Sequence, residues 1–96
     1  MSTVNHGFII TRDHLDHTTR RLVGPRNTVR TADEIIAHGV PFRLKDADDN
    51  LCFEGMYLGG QDENMFSPLD DFGEGVAGCT TIQYRDHTKP GTWADL

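Results

Sequence analysis

The stretch PFRLKDADDNLCFEGMYL, Pro41 to Leu58, decides the fold. Phe42 and Leu44 alternate with Arg43 and Lys45, and Leu51 and Phe53 alternate with Cys52 and Glu54. Period-two alternation of this kind belongs to half-buried strands. Between the two runs stand Asp46-Ala47-Asp48-Asp49, residue types that tolerate turn geometry. A four-residue turn there sets Leu44 opposite Leu51 and Phe42 opposite Phe53, with four apolar side chains on one face. A slip of one residue would turn that whole set toward water. Arg43 and Lys45 fall on the outer face, with Glu54 diagonal to Arg43.

Working outward, Gly7 to Arg12 (GFIITR) reads as a first strand, with β-branched residues and an aromatic in a short run. Residues 13–30, DHLDHTTRRLVGPRNTVR, are polar and basic and broken by Gly24-Pro25. They read as an irregular connection with a short extended piece around Arg21–Val23. Thr31-Ala32-Asp33-Glu34 is a capping box, which predicts a two-turn helix from Ala32 to His38. Ile35 and Ile36 are expected to face inward, with Gly39 as a left-handed stop.

Gly59 to Gly78 reads as a long loop holding one helical turn at Ser67–Phe72, capped by Ser67 with Pro68 at the first helical position. Thr80 to Arg85 alternates as a strand. After a turn at Lys89-Pro90-Gly91, Thr92 to Leu96 returns as a final strand with the only tryptophan. The expected architecture is one α+β domain over residues 1–96, a small antiparallel sheet of three to four strands with one short helix.

Ninety-six residues at 36% hydrophobic content leave room for a single modest core and a stability of about 5–8 kcal/mol. No run approaches the ~20 apolar residues of a membrane span. The N-terminal MSTVNHGFII lacks the basic start and apolar run of a signal peptide, so a cytoplasmic location is expected. Cys52 and Cys79 are then expected to be reduced, buried thiols.

Charge is distributed unevenly. Arg12, Arg20, Arg21, Arg26 and Arg30 face only Asp13 and Asp16 in residues 1–30, whereas residues 46–74 carry nine acids and no Lys or Arg. Such a field steers basic partners and repels nucleic acid. The arginines of the basic segment could touch phosphates. A net charge of −6 and the lack of interleaved aromatics argue against direct nucleic-acid binding, and pairing with the protein's own acidic loop is the favoured reading.

Chemistry-bearing motifs are few. His14 and His17, three apart, with Asp16 or a distal His6, His38 or His87, are the nearest approach to a metal or small-molecule site; solvated histidines on a polar connection are the favoured reading. Asp46-x-Asp48-x-Asn50 begins like a calcium loop, but Leu51 stands where glycine is needed and Tyr57 where a glutamate is needed. Asp71-Phe72-Gly73 is a chance match to a kinase tripeptide, since 96 residues cannot hold a kinase. Asp70 and Asp71 are adjacent and point apart, unlike an acid–base pair. No phosphate-binding glycine loop or nucleophile elbow is present, so neither an enzyme nor a cofactor is expected.

Phe42-Arg43-Leu44-Lys45-Asp46, Phe53-Glu54-Gly55, Leu69-Asp70-Asp71-Phe72-Gly73, Ala77-Gly78-Cys79-Thr80 and Thr92-Trp93 together resemble short acidic accessory proteins of bacteria, phages and plasmids. The resemblance covers residues 40–96, rests on no catalytic motif, and implies an origin in mobile elements or actinobacteria. The residues themselves lead to a non-enzymatic protein-binding module. Asp62, Glu63, Asp70, Asp71 and Glu74 would meet a basic surface of a host or phage protein, with Met65 and Phe66 as anchors. One form is a phage-type inhibitor masking a nucleic-acid-binding surface. Pairing of the Trp93 strand with a second copy would instead make a homo-oligomer.

Overall fold

A computed structural model describes residues 2–85 and 91–96. Six strands form one antiparallel sheet: β1 (Gly7–Asp13), β2 (Thr18–Gly24), β3 (Val40–Lys45), β4 (Leu51–Leu58), β5 (Thr81–Arg85) and β6 (Trp93–Asp95), in the order β2-β1-β4-β3-β5-β6. The expected three-to-four-stranded sheet with one short helix is therefore corrected to six strands with two helical regions. The predicted turn at Lys89-Pro90 lies outside the described residues. No helix among the described residues is long and apolar enough to cross a membrane.

The segment read as an irregular basic connection holds a full strand, β2, of which only the short extended piece around Arg21–Val23 was expected. Its residues Thr18 to Leu22 are all exposed, so no apolar alternation marks it. The pairing comes from the turn instead. The carboxylate of Asp13, buried at the end of β1, accepts the amides of Leu15 (2.9 Å) and Asp16 (3.1 Å) and pairs with Arg20 at 3.2 Å. This side chain closes the β1–β2 hairpin and holds one basic residue across it.

The β3–β4 hairpin forms, in a register two residues from the expected one. Leu44 pairs with Phe53 and Phe42 with Gly55, while Lys45 pairs with Leu51. The turn is longer than four residues because Asp46 organises it. Its Oδ1 accepts the amides of Asp48 and Asn50, both at 2.9 Å. Those bonds, with Asn50 first, hold the Asp46 carboxyl below its usual range. Asp49 takes a left-handed φ of 65°. Cys52 is then an extra residue, a bulge between the Lys45–Leu51 and Leu44–Phe53 pairs, and Cys52 and Phe53 are buried side by side.

The first helix, α1 (Ala32–His38), begins as expected. Thr31 Oγ1 accepts the Glu34 amide at 3.2 Å, and Glu34 Oε1 accepts the Thr31 amide at 3.4 Å. Ile35 is buried, but Ile36 is 44% exposed, since neighbouring helical residues diverge by about 100°. Gly39 is extended (φ −77°) rather than left-handed. It must be glycine for room: a Cβ there would lie 2.4 Å from the Ile35 oxygen and 2.9 Å from the Tyr57 oxygen.

The largest correction is the stretch read as a loop. From Glu63 to Ala77 it is helical: a 3-10 turn (Glu63–Phe66), a widened π turn (Leu69–Gly73) and a last α turn, α2 (Glu74–Ala77). Asp62 caps its start, not Ser67, and Gly78 closes it with φ 66°. Ser67 Oγ donates instead to Asp71 at 2.6 Å. Met65, Leu69 and Phe72 are spaced four and three apart and pack onto one sheet face with Phe8, Ile10, Phe42, Leu44, Phe53, Tyr57, Ile82 and Tyr84. Phe72 meets Phe53 edge-on with ring centroids 4.8 Å apart. The Tyr84 hydroxyl ties this layer to the sheet by donating to the Met65 carbonyl at 2.7 Å. Helix α1 packs on β1 and β4, its Ile35 side chain beside Gly7.

Cys52 and Cys79 are free thiols in this core. Burial, then the neighbouring Cys52 sulfur, pushes the Cys79 thiol up to about 12. A thiol raised this far stays protonated at pH 8, and both sulfurs are shielded. A thiol-specific chromogenic reagent at pH 8 should leave both unmodified in native buffer and modify both in 6–8 M urea, a concentration range chosen to be denaturing. Rapid stoichiometric modification in native buffer would contradict this packing.

Candidate functional site

The acidic run becomes a surface because the helical layer presents it outward. Asp62, Glu63, Asp70, Asp71 and Glu74 are all exposed. Asp62 spends one oxygen on the Asn64 amide (2.9 Å), and Asp71 accepts from Ser67. The Asp62 charge also adds to burial in raising the Tyr57 hydroxyl, which donates to the Gly60 carbonyl at 2.9 Å. Glu63, Asp70 and Asp71 line one wall of a shallow cleft of about 300 Å³ whose other wall is Val4, His6, Pro25 and Asn27. The N-terminal wall is held by Thr28, whose hydroxyl donates to the His6 carbonyl at 2.6 Å, and by Arg30, whose Nε donates to the Asn5 carbonyl.

The two expected anchors separate. Met65 is half-buried against the core, so its side chain serves packing. Phe66, 36% exposed, lies among the acids, and Val76 at 60% is a second exposed apolar group on the same layer.

The arginines do not neutralise this surface. Arg21 pairs with Asp33 at 2.6 Å and Arg30 with Glu34 at 3.4 Å, while Arg20 is held by Asp13. Among the described residues no salt bridge reaches Asp62, Glu63, Asp70, Asp71 or Glu74. For Arg20, Arg21 and Arg30 the expected pairing with the acidic loop is thus replaced by pairing with acids near the segment itself, while Arg26 borders a cleft with Asp71 and forms no ion pair among the described residues.

His14, Asp16 and His17 lie on the tight β1–β2 turn, where an i, i+3 helical face does not exist. His14 Nε2 contacts Glu54 Oε2 at 2.7 Å, and His17 holds a left-handed φ of 55°. Among the described residues no three His, Cys, Asp or Glu side chains are grouped to hold a metal ion; His87 lies outside them.

The opposite sheet face was visible in the sequence only in part, as Arg43 and Glu54 on the outer face of the β3–β4 hairpin, where they are directly paired rather than diagonal. There β1, β3 and β5 contribute Arg12, Arg43 and Arg85, β4 contributes Glu54 and Met56, and β6 contributes Trp93. Strand order alone brings these distant positions together. Comparison with protein-family models, curated proteins and solved structures finds no match.

Proposed function

We propose that the protein is a small binding module whose acidic helical face engages a basic surface of a host or phage protein. The observation that carries this reading is the acidic surface, which no ion pair reaches among the described residues: Arg20, Arg21 and Arg30 are engaged elsewhere, Arg26 borders a cleft with Asp71 without bonding it, and Phe66 stands exposed on the same layer. Rim charges speed and orient encounter, and a desolvated aromatic supplies affinity. In one concrete form the carboxylates occupy positions that phosphates would take on a nucleic-acid-binding partner.

The test is capture from a lysate of cells that carry the protein, followed by titration of the identified partner. One dominant basic protein is expected, bound at low salt and weakened about tenfold by Glu63→Gln, Asp70→Asn and Glu74→Gln together. Phe66→Ala should cost a similar factor with less salt dependence. A partner whose affinity ignores both variants, or no partner at either salt, would end this reading.

A further inference from the structure

On the sheet face away from the helical layer, one transverse row reads Thr19, Arg12, Glu54, Arg43, Gln83, Asp95 from β2 to β6. Beside it, toward α1, lie Met56, Pro41 and the cross-strand pair Arg85–Trp93. Of these, Arg12, Thr19, Glu54, Pro41, Met56, Arg85 and Trp93 border a cleft of about 440 Å³, within the size range of small-ligand sites.

The charges in it are unequally used. Glu54 is occupied by His14 at 2.7 Å. Arg43 donates to Gln83 at 2.7 Å and lies 4.6 Å from the centroid of the Trp93 ring. Asp95 accepts from Gln83. Arg12 and Arg85 are both exposed and have no ion-pair partner among the described residues. The cleft therefore offers two guanidinium groups without an ion pair among the described residues, beside an indole and a methionine.

We infer that this cleft binds a nucleotide unit, its base against Trp93 and Met56 and its phosphate carried by Arg12 or Arg85. Guanidinium groups fit phosphate oxygens bidentately, and an indole offers a planar surface that any base can use. Arg43 already covers one face of the indole; an acidic peptide would satisfy Arg12 and Arg85 and leave the other face without a planar partner. The net charge of −6 does not prevent this. The helical layer carries its acids on the far side of the sheet, and packed layers sit about 10 Å apart, one Debye length at ordinary ionic strength. A free nucleotide and a single strand share the same chemistry.

Trp93 is the only tryptophan, so its fluorescence reports on this cleft directly. Titration with AMP and with a ten-nucleotide oligodeoxythymidylate should quench it. Tighter binding of the oligomer identifies a strand as the ligand; equal binding identifies a free nucleotide. Arg12→Ala and Arg85→Ala should each weaken oligomer binding about fivefold to tenfold and flatten its logarithmic salt dependence by about 0.7. Trp93→Ala, followed by anisotropy of a labelled oligomer, should weaken it about tenfold. Glu63→Gln with Asp70→Asn should change nothing. Absence of quenching by both ligands, unchanged binding in the Arg12→Ala, Arg85→Ala double variant, or equal quenching by polyglutamate would overturn the assignment.

Discussion

Gly55→Ala should unfold the protein or come close to it. Gly55 sits in β4, paired with Ile10 of β1 on one side and Phe42 of β3 on the other. A Cβ there would stand 2.0 Å from the Ile9 oxygen and 2.8 Å from Phe42 Cζ. The first contact is with backbone in a central strand, so no side-chain rotation relieves it. Opening the β1–β4 pairing would disturb the hydrogen-bond ladder at the middle of the sheet. A loss of about 3–5 kcal/mol is expected, which in a chain of this size lowers Tm by roughly 15 °C or more. Gly75→Ala is the control. Nothing lies within 4 Å of that position and it is helical, so alanine should be neutral or stabilise by about 0.5–1 kcal/mol. Thermal denaturation of the two variants decides it: similar Tm values would contradict the steric role of the close approach at Gly55.

Gly55 also shows where pattern reading ran out. The alternation of Phe42, Leu44 and Phe53 correctly marked two paired strands and their buried face. The register escaped it because an aromatic can cover a glycine, and Phe42 pairs with Gly55 while Phe8 pairs with Gly24. A scheme that matches apolar residue to apolar residue overlooks such pairs. The Cys52 bulge then absorbs the extra residue. The capping box at Thr31 was fully legible because its two hydrogen bonds are local. By contrast β2 depends on Asp13 and the strand beside it, and carries almost no buried side chain of its own.

The helical layer was hidden for another reason. Its apolar positions Met65, Leu69 and Phe72 keep helical spacing, but Pro68, Gly73 and Gly75 interrupt them and a π turn widens the middle. Read locally, those residues announce a loop; packed on a sheet, they form a cover. The acidic character of the segment was plain throughout, whereas its conversion into a surface required the layer to exist. The Arg12, Arg85 and Trp93 cleft was less accessible still, since strands β1, β5 and β6 come together only through the order β2-β1-β4-β3-β5-β6. The arginines that stand out in sequence, Arg20, Arg21 and Arg30, are the ones consumed by ion pairs.

Phe72→Ala should detach this cover and, with it, the acidic surface. Phe72 is buried, meets Phe53 at 4.8 Å in an edge-to-face contact, and stands one turn from Leu69. Removing the ring costs its transfer free energy and leaves a cavity, about 3–4 kcal/mol together. The aromatic contact accounts for about 0.5–1.5 kcal/mol of that, measurable as the coupling in a Phe53→Leu, Phe72→Leu double-mutant cycle. Because Met65, Leu69 and Phe72 hold the layer down, their loss bares Phe8, Ile10, Leu44 and Phe53. Binding of a hydrophobic dye should rise as Tm falls by roughly 15 °C. Asp71 adjoins Phe72 and Glu74 follows on the next residue but one, so the carboxylates lose their common orientation when the helix lifts. Partner affinity should then fall at least as far as in the triple charge variant, although every charge is retained. Retained affinity with a lowered Tm would mean that the carboxylates act as a flexible acidic chain and that the helical layer serves the core alone.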